Sequence, residues 1–300
     1  MDEILLEPVT YYKKLKGKNI RKILGDLFGK LLGVNSTNTI LINNLVNDVH
    51  NASLVIDDIQ DNSLLRRNKP CAHLIYGIPF SINSSYYSIF KTVMQISQNF
   101  SQITTSKVIE YLYHLHEGQG MDIYYTQNKV IPSIEEYEKM MIYKSGYTFI
   151  INLELLLDKS TNVIFQKNQD KLKNVLLLFA LFYQIRDDYI NLTDIEYWKS
   201  KGFCQDFDEE KISYLITYFY NDNVNNNKPN PNIIEMMKDK SRKGKIKIIK
   251  IFHEAGLFDT IYNKLTQLKQ QILEEMIFEL VLEQLVFHKF DIFDIDRFQI

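Results

Sequence analysis

The stretch His50-Asn51-Ala52-Ser53-Leu54-Val55-Ile56-Asp57-Asp58-Ile59-Gln60-Asp61-Asn62-Ser63-Leu64-Leu65-Arg66-Arg67 governs how the rest of the chain is read. An apolar run, Leu54 to Ile56, leads straight into Asp57, Asp58 and Asp61. On a helix, Asp57 and Asp61 lie one turn apart on one face, with His50 two turns below Asp57 on the same side. Three carboxylates held this close repel one another. Solvation relieves the repulsion, and so do hard divalent cations bound through oxygen. The basic pair Arg66 and Arg67 follows within reach.

A second stretch answers the first: Gln184-Ile185-Arg186-Asp187-Asp188-Tyr189-Ile190-Asn191, after the apolar run Val175 to Tyr183. A single acidic run is more often a solvated helix face than a metal site. Two of them, each closing an apolar helix, are harder to read that way, because a buried carboxylate is costly without a compensating cation. The two clusters are expected to face each other across a cavity, with a Mg²⁺–diphosphate neutralising the charge between them.

Composition narrows the field. The chain has 300 residues, 45% of them hydrophobic, enough for one large core or two smaller ones. A formal net charge of −2 gives no basic footprint for nucleic acid. Cys71 and Cys204 form no Cys-x-x-Cys pair and no disulfide framework, which fits a reduced, cytoplasmic protein. Met1 to Leu6 carries Asp2 and Glu3 and does not read as a signal peptide. The run Val175 to Tyr183 is too short to span a bilayer.

Most of the spans between Pro8, Pro70, Pro79, Pro132, Pro229 and Pro231 are long, and several carry apolar residues at helical spacing, such as Val108, Leu112 and Leu115. Period-two alternation is scarce and Asn-Gly or Asp-Gly turns are absent. The expected fold is all-α, with helices over 18–33, 36–62, 80–98, 103–125, 133–158, 169–195, 209–220, 232–255 and 258–286. Pro79 and Pro132 fit helix starts. Asn221 to Asn232 reads as an exposed loop, and Phe287 to Ile300 has no assignment.

Among the remaining candidates, Lys18 and Arg21 place two cations near the start of the first of these helices, and Arg67 is a third for a phosphate clamp. Lys144-Ser145, Lys201 and Lys211 read singly as surface lysines. His73, His114 and His116 invite a metal reading, but His-Glu-x-x-His and His-Asp are both missing. So are Gly-x-Ser-x-Gly, the Walker A loop and the Rossmann fingerprint.

Taken together the chain resembles the trans-isoprenyl diphosphate synthases, above all geranylgeranyl diphosphate synthases of the eukaryotic, fungal-like type. The matching pieces run in order. They are Gly17-Lys18-x-x-Arg21, His50 to Leu54 with the Asp57-Asp58-x-x-Asp61 (DDxxD) motif, Leu65-Arg66-Arg67, His73 to Pro79, Gly118 to Tyr124, Lys144-Ser145-Gly146, Gln184 to Asn191, and Lys201 to Cys204. The likeness is clear over about residues 8–220 and fades beyond, and the whole of 1–300 is expected to be a single synthase domain.

The resemblance implies an isoprenoid-synthase helical bundle around a deep central cavity, with about three Mg²⁺ ions per active site. It implies Asp57, Asp58, Asp61 and Asp187 as metal ligands, with Asp188 alongside. Arg66, Lys144 and Lys201 would hold the allylic diphosphate. Lys18, Arg21, His50 and Arg67 would hold isopentenyl diphosphate, Ser145 and Gln184 would line the reacting end, and Lys211 would lie in the substrate site. It also implies a homodimer or higher homo-oligomer. An apolar product leaves peripheral contact with a membrane surface open.

Product length follows from smaller side chains. In the family that the chain resembles, a bulky aromatic at the positions of Ala52 and Ser53 gives fifteen-carbon products, so the resemblance implies twenty carbons or more; Ile89 stands where the family usually has an aromatic, and Phe90 and His116 are candidates for a lower floor. The chain departs from the family pattern at Asn68 and Glu210 (usually Gly), Glu117 (Arg), Tyr125 (Trp), Tyr147-Thr148 (Gly-Leu) and Leu215 (Pro). The alternatives are a terpene synthase on the same scaffold, a synthase of longer chains, and a non-catalytic partner subunit.

Overall fold

The computed structural model describes residues 1–15, 17, 19–163 and 167–275, with the backbone alone for Ser200, Lys201 and Glu275. Lys18 and the C-terminal segment 287–300 therefore lie outside the described residues. The described helices are α1 (Asp2–Leu5), α2 (Glu7–Lys14), α3 (Ile20–Leu31), α4 (Ser36–Gln60), α5 (Ala72–Tyr76), α6 (Ile78–Asn99), α7 (Gln102–Asn128), α8 (Ile134–Met141), α9 (Tyr147–Lys159), α10 (Gln169–Thr193), α11 (Ile195–Lys201), α12 (Gln205–Asp208), α13 (Tyr214–Asn225), α14 (Ile233–Met236), α15 (Arg242–Glu254) and α16 (Leu257–Glu275). The fold is all-α: the strands among the described residues are β1 (Leu65–Arg66) and β2 (Lys69–Pro70), two residues each. No described helix is long and apolar enough to cross a membrane.

The chain divides into two compact units. The first comprises 1–114 and 147–173; the second comprises 115–146 and the residues from 174 onward. In the first unit α4 is the central element, packed against α2, α3, α6 and α9. Its N-terminus is fixed by Asn35, whose side chain accepts from the Asn38 N–H at 2.8 Å. Its buried face carries Ile42, Leu45, Val46, Val49, Ala52 and Val55, spaced at three and four residues as a helix requires. Its chief partner, α6, buries Ser81, Ser84, Ser85, Ser88 and Thr92, side chains small enough to let a neighbouring helix come close.

The expected helices 18–33, 36–62, 80–98, 103–125 and 169–195 appear within a few residues of their expected bounds. Others differ. Helix 133–158 is interrupted by a π turn over Ile142–Gly146. Its start is Ser133, not Pro132: the Ser133 hydroxyl caps the Glu136 N–H, and the Glu136 carboxylate accepts from the Ser133 N–H. Helix 232–255 breaks into α14 and α15, because Ser241 caps a new start by accepting from the Gly244 N–H at 3.1 Å. Helix 209–220 starts later, at Tyr214, and runs on to Asn225.

Candidate active site

In the first unit, α4 ends at the acidic motif. Asp61 caps it and its N–H returns to the Asp57 carbonyl at 2.9 Å, so the two residues do share one turn. Asp61 is exposed and the Asp57 side chain is 21% exposed. Asp58 differs from both. It is fully buried, and both its oxygens are engaged. Arg66 Nε donates to Oδ1 at 3.0 Å and to Oδ2 at 3.1 Å, Arg66 Nη2 also donates to Oδ1, and the Tyr12 hydroxyl donates to Oδ2. Arg66 Nη2 reaches Asp57 as well, at 3.3 Å. Burial disfavours the guanidinium charge, but Asp58 and Asp57 outweigh it and raise the Arg66 pKa above its ordinary value. Tyr12, with no exposure, also accepts from the Ala72 N–H at 3.1 Å, which ties α2 and α5 to the acidic motif. Burial and Asp58 push its phenol far up, so it stays a donor.

A hairpin aims the basic pair. β1 and β2 are antiparallel, with Arg66 opposite Lys69, and the two-residue loop Arg67-Asn68 has φ of +54° and +61°. Both loop residues are left-handed, as in a type I′ turn, and Asn tolerates that region better than most residues. The turn sends Arg67 back to α2, where Nη1 donates to the carbonyls of Leu15 at 2.9 Å and Tyr12 at 3.2 Å. Gly17 makes room for it: an added Cβ would sit 2.8 Å from Arg67 Cζ. Arg21, in the first turn of α3, donates from Nε to Thr148 Oγ1 at 3.0 Å and meets His50 Nε2 at 3.2 Å. Arginine has no acceptor, so His50 Nε2 accepts and the imidazole proton sits on Nδ1. Burial first, then Arg21, Arg67 and Arg66, hold the His50 pKa well below its ordinary value, so the ring is neutral. The structure thus gathers Asp57, Asp58, Asp61 and Arg66 in one place, and pairs Arg21 with His50.

In the second unit, α10 carries Asp187 and Asp188. Asp187 accepts from the Tyr197 hydroxyl at 3.1 Å. Asp188 is buried, and takes the Lys211 ammonium at 2.8 Å, the Tyr214 N–H at 2.8 Å and the Tyr137 hydroxyl at 3.2 Å. Burial opposes the Lys211 charge, yet Asp188 and Asp206 hold its pKa well above the usual lysine value. Asn191, one turn after Asp187, is buried and donates to Asp206 Oδ1 at 2.9 Å. Lys144 sits in the π turn, and its ammonium meets Asp122 at 2.5 Å. Gly118 is required there: a Cβ would lie 2.2 Å from the Lys144 backbone nitrogen. Ser145 is buried and Gln184 half-buried. Lys201 closes α11, and its side chain lies outside the described residues.

The expected length-setting residues divide. Ala52 is fully buried and Ile89 nearly so. Ser53 is exposed, with its hydroxyl donating to the His50 carbonyl at 2.8 Å. Phe90 is 70% exposed and His116 is exposed, so neither is packed as a floor within its own unit. On α6 a one-residue step turns the side chain by about 100°, and it is Ile89 that takes the buried side. Tyr12, Asp122 and Thr148 are functional neighbours that the sequence reading left without a role. Asp122 stood inside the quoted Gly118 to Tyr124 piece and Thr148 among the departures, whereas nothing in the sequence singled out Tyr12.

The donor set suits a hard divalent cation. Among the described residues no three His, Cys, Asp or Glu side chains form a ready metal cage. Asp57 and Asp61 nevertheless offer adjacent carboxylates at an accessible helix end. Mg²⁺ typically takes one or two carboxylates and completes its shell with water and substrate phosphate.

Comparison with known proteins agrees. The polyprenyl synthetase family model matches residues 2–253. A geranylgeranyl pyrophosphate synthase of Dictyostelium discoideum is 35% identical over 277 residues, covering 91% of this chain and 87% of that protein. A second, from Mucor circinelloides f. lusitanicus, is 32% identical over 92% of this chain and 88% of its own length. A protein of Matsumurasca onukii named terpene synthase is 33% identical, with 92% and 88% covered. The chain belongs to the polyprenyl synthetase family and has its all-α isoprenoid-synthase fold. It is a trans-prenyltransferase, similar to geranylgeranyl pyrophosphate synthases, in a family that generally uses Mg²⁺.

Proposed function

We propose that this enzyme condenses isopentenyl diphosphate with an allylic diphosphate, farnesyl diphosphate above all, to make geranylgeranyl diphosphate. The observation that carries this reading is the clamp in the first unit: Arg21 with neutral His50, and Arg67 seated against Gly17. An enzyme that only ionises one allylic diphosphate has no use for a second diphosphate site. One similar protein is named a terpene synthase, so overall identity does not separate the two chemistries. The clamp does.

In this reading Asp57 and Asp61 in the first unit and Asp187 in the second would hold Mg²⁺, about three ions per active site as the family resemblance implies. Bound there, Mg²⁺ would supply charge neutralisation for a departing diphosphate. Asp58 and Asp188 act at one remove, by fixing Arg66 and Lys211. Arg66, Lys144 and Lys201 bind the allylic diphosphate, and Lys18, Arg21, His50 and Arg67 bind isopentenyl diphosphate. Ser145 and Gln184 line the reacting end. The allylic C–O bond breaks, the double bond of isopentenyl diphosphate attacks the allylic carbon, and the proton lost leaves with the departing diphosphate. Lysine and arginine near the leaving oxygens would stabilise the charge that develops there. Ala52 and Ser53 leave room for a twenty-carbon chain, with Ile89 as a further length-setting residue.

A homodimer fits the exposed apolar row Tyr86, Phe90 and Met94 on α6, spaced one turn apart at 46%, 70% and 53% exposure. The test of the function is a product assay with labelled isopentenyl diphosphate and Mg²⁺, primed separately with dimethylallyl, geranyl and farnesyl diphosphate. Twenty-carbon diphosphate is expected to dominate. A dominant fifteen-carbon product would overturn the length assignment, and absence of any Mg²⁺-dependent turnover would point to a partner subunit.

A further inference from the structure

Thr148, His50 and Phe149 all contact the Arg21 guanidinium. Its Nε donates to Thr148 Oγ1 at 3.0 Å, its Nη1 meets His50 Nε2 at 3.2 Å, and its guanidinium carbon lies 5.1 Å from the centre of the Phe149 ring. Thr148 is 4% exposed and lies in the first turn of α9, with Phe149 next to it. One turn of α9 therefore supplies both the hydroxyl and the ring. A guanidinium is planar and its donors leave it as a fixed fork. An acceptor at Nε and another at Nη1 set the direction of that fork, and the ring sets its plane. His50 serves two purposes here, but Thr148 carries no charge and lies outside the acidic and basic motifs. Its hydroxyl oxygen accepts from Arg21 Nε, which fixes one edge of the guanidinium.

We propose that Thr148 is a positioning residue for isopentenyl diphosphate: its hydroxyl holds Arg21 where the guanidinium meets that substrate, and so sets affinity for it and not for the allylic diphosphate. The inference rests on the assignment of Arg21 to the second diphosphate site. In Thr148→Val the shape is kept and the acceptor is lost, leaving a part-buried Nε–H without it. A hydrogen bond to a charged group of this kind corresponds to about a ten-fold change in an equilibrium constant or more.

The experiment is steady-state kinetics with both substrates varied. Thr148→Val is expected to raise KM for isopentenyl diphosphate about ten-fold, with kcat lowered less than about two-fold and KM for farnesyl diphosphate unmoved. Thr148→Ser restores the wild-type KM. Arg21→Ala raises the same KM, and adding Thr148→Val to it changes little further, because the hydroxyl acts through the arginine. Thr148→Ala serves in the same way if the valine variant fails to fold. An unchanged KM for isopentenyl diphosphate, an equal rise for both substrates, or effects of Arg21→Ala and Thr148→Val that multiply would each overturn the proposal. Those outcomes leave the synthase reading standing. Wild-type enzyme that incorporates no isopentenyl diphosphate would overturn both.

Discussion

Replacing Asp58 and replacing Asp57 are expected to damage different properties, although the two carboxylates are adjacent. Asp58 has no exposure, and its oxygens are taken by Arg66 and Tyr12. In Asp58→Asn the amide still accepts from Tyr12, but the Arg66 guanidinium, 21% exposed, loses its ionic partner. Removing one side of a buried pair costs about 3–5 kcal/mol. The remaining exposure of Arg66 and its 3.3 Å contact with Asp57 recover part of that, leaving a net loss of about 2–4 kcal/mol. For a chain of this size that lowers Tm by roughly 5–10 °C. Asp57 is partly exposed and its contact with Arg66 is long, and Asp57→Asn also relieves repulsion, so Tm should move by less than about 3 °C. With Asp57 as the proposed Mg²⁺ ligand, its cost is catalytic: kcat/KM is expected to fall by about a hundred-fold or more. Melting should be followed in chelator, so that folding is read apart from metal binding, and turnover should be followed across a Mg²⁺ titration. Equal stability of the Asp58→Asn variant and wild type would refute the reasoning. So would an Asp57→Asn variant less stable than Asp58→Asn.

Two further outcomes follow from the same geometry. Gly118→Ala places a methyl 2.2 Å from the Lys144 nitrogen and 2.7 Å from the Tyr143 carbonyl carbon, both backbone, so the π turn must shift. A loss of about 1–3 kcal/mol is expected, with KM for the allylic substrate rising more than KM for isopentenyl diphosphate; kinetics with both substrates varied checks this. His50 titrates in the unfolded chain near about 6.5 and, in the fold, well below that. The unfolded state therefore binds more protons below about pH 6.5, and stability falls as pH falls, by up to about 1.4 kcal/mol per pH unit until the folded pKa is reached. Melting of wild type between pH 7 and 5 should fall more steeply than melting of His50→Gln; parallel curves would count against a buried neutral imidazole.

Much of the fold was legible because the long helices combine apolar spacing with plain caps. Helix α4 is the best case, starting at Asn35 and ending at the acidic motif. The π turn was not legible, since Ile142 to Gly146 continues the helical pattern of its neighbours and only the approach of Gly118 to Lys144 marks it. Nor was the hairpin, whose turn is made by Arg67-Asn68 and not by Asn-Gly. Two departures from the family pattern gain a physical meaning here. Asn68 and Glu210 replace glycines at φ of +61° and +50°, where a side chain is usually disfavoured by about 1–2 kcal/mol. Glu210 is offset by its ion pair with Lys129 at 2.8 Å. The site was half legible. The sequence identified the acidic residues, but their spacing could not tell the accessible Asp57 from the buried, saturated Asp58, which depends on Tyr12 arriving from a helix far away in the chain.

Arg21, His50 and Arg67 are proposed to make this a two-substrate enzyme. The most direct measurement incubates purified enzyme and Mg²⁺ with farnesyl diphosphate, with and without isopentenyl diphosphate, and follows both prenyl diphosphates and free hydrocarbons. Twenty-carbon diphosphate formed only when both substrates are present is the predicted result. Release of hydrocarbon or alcohol from farnesyl diphosphate alone, with no incorporation of isopentenyl units, would contradict it.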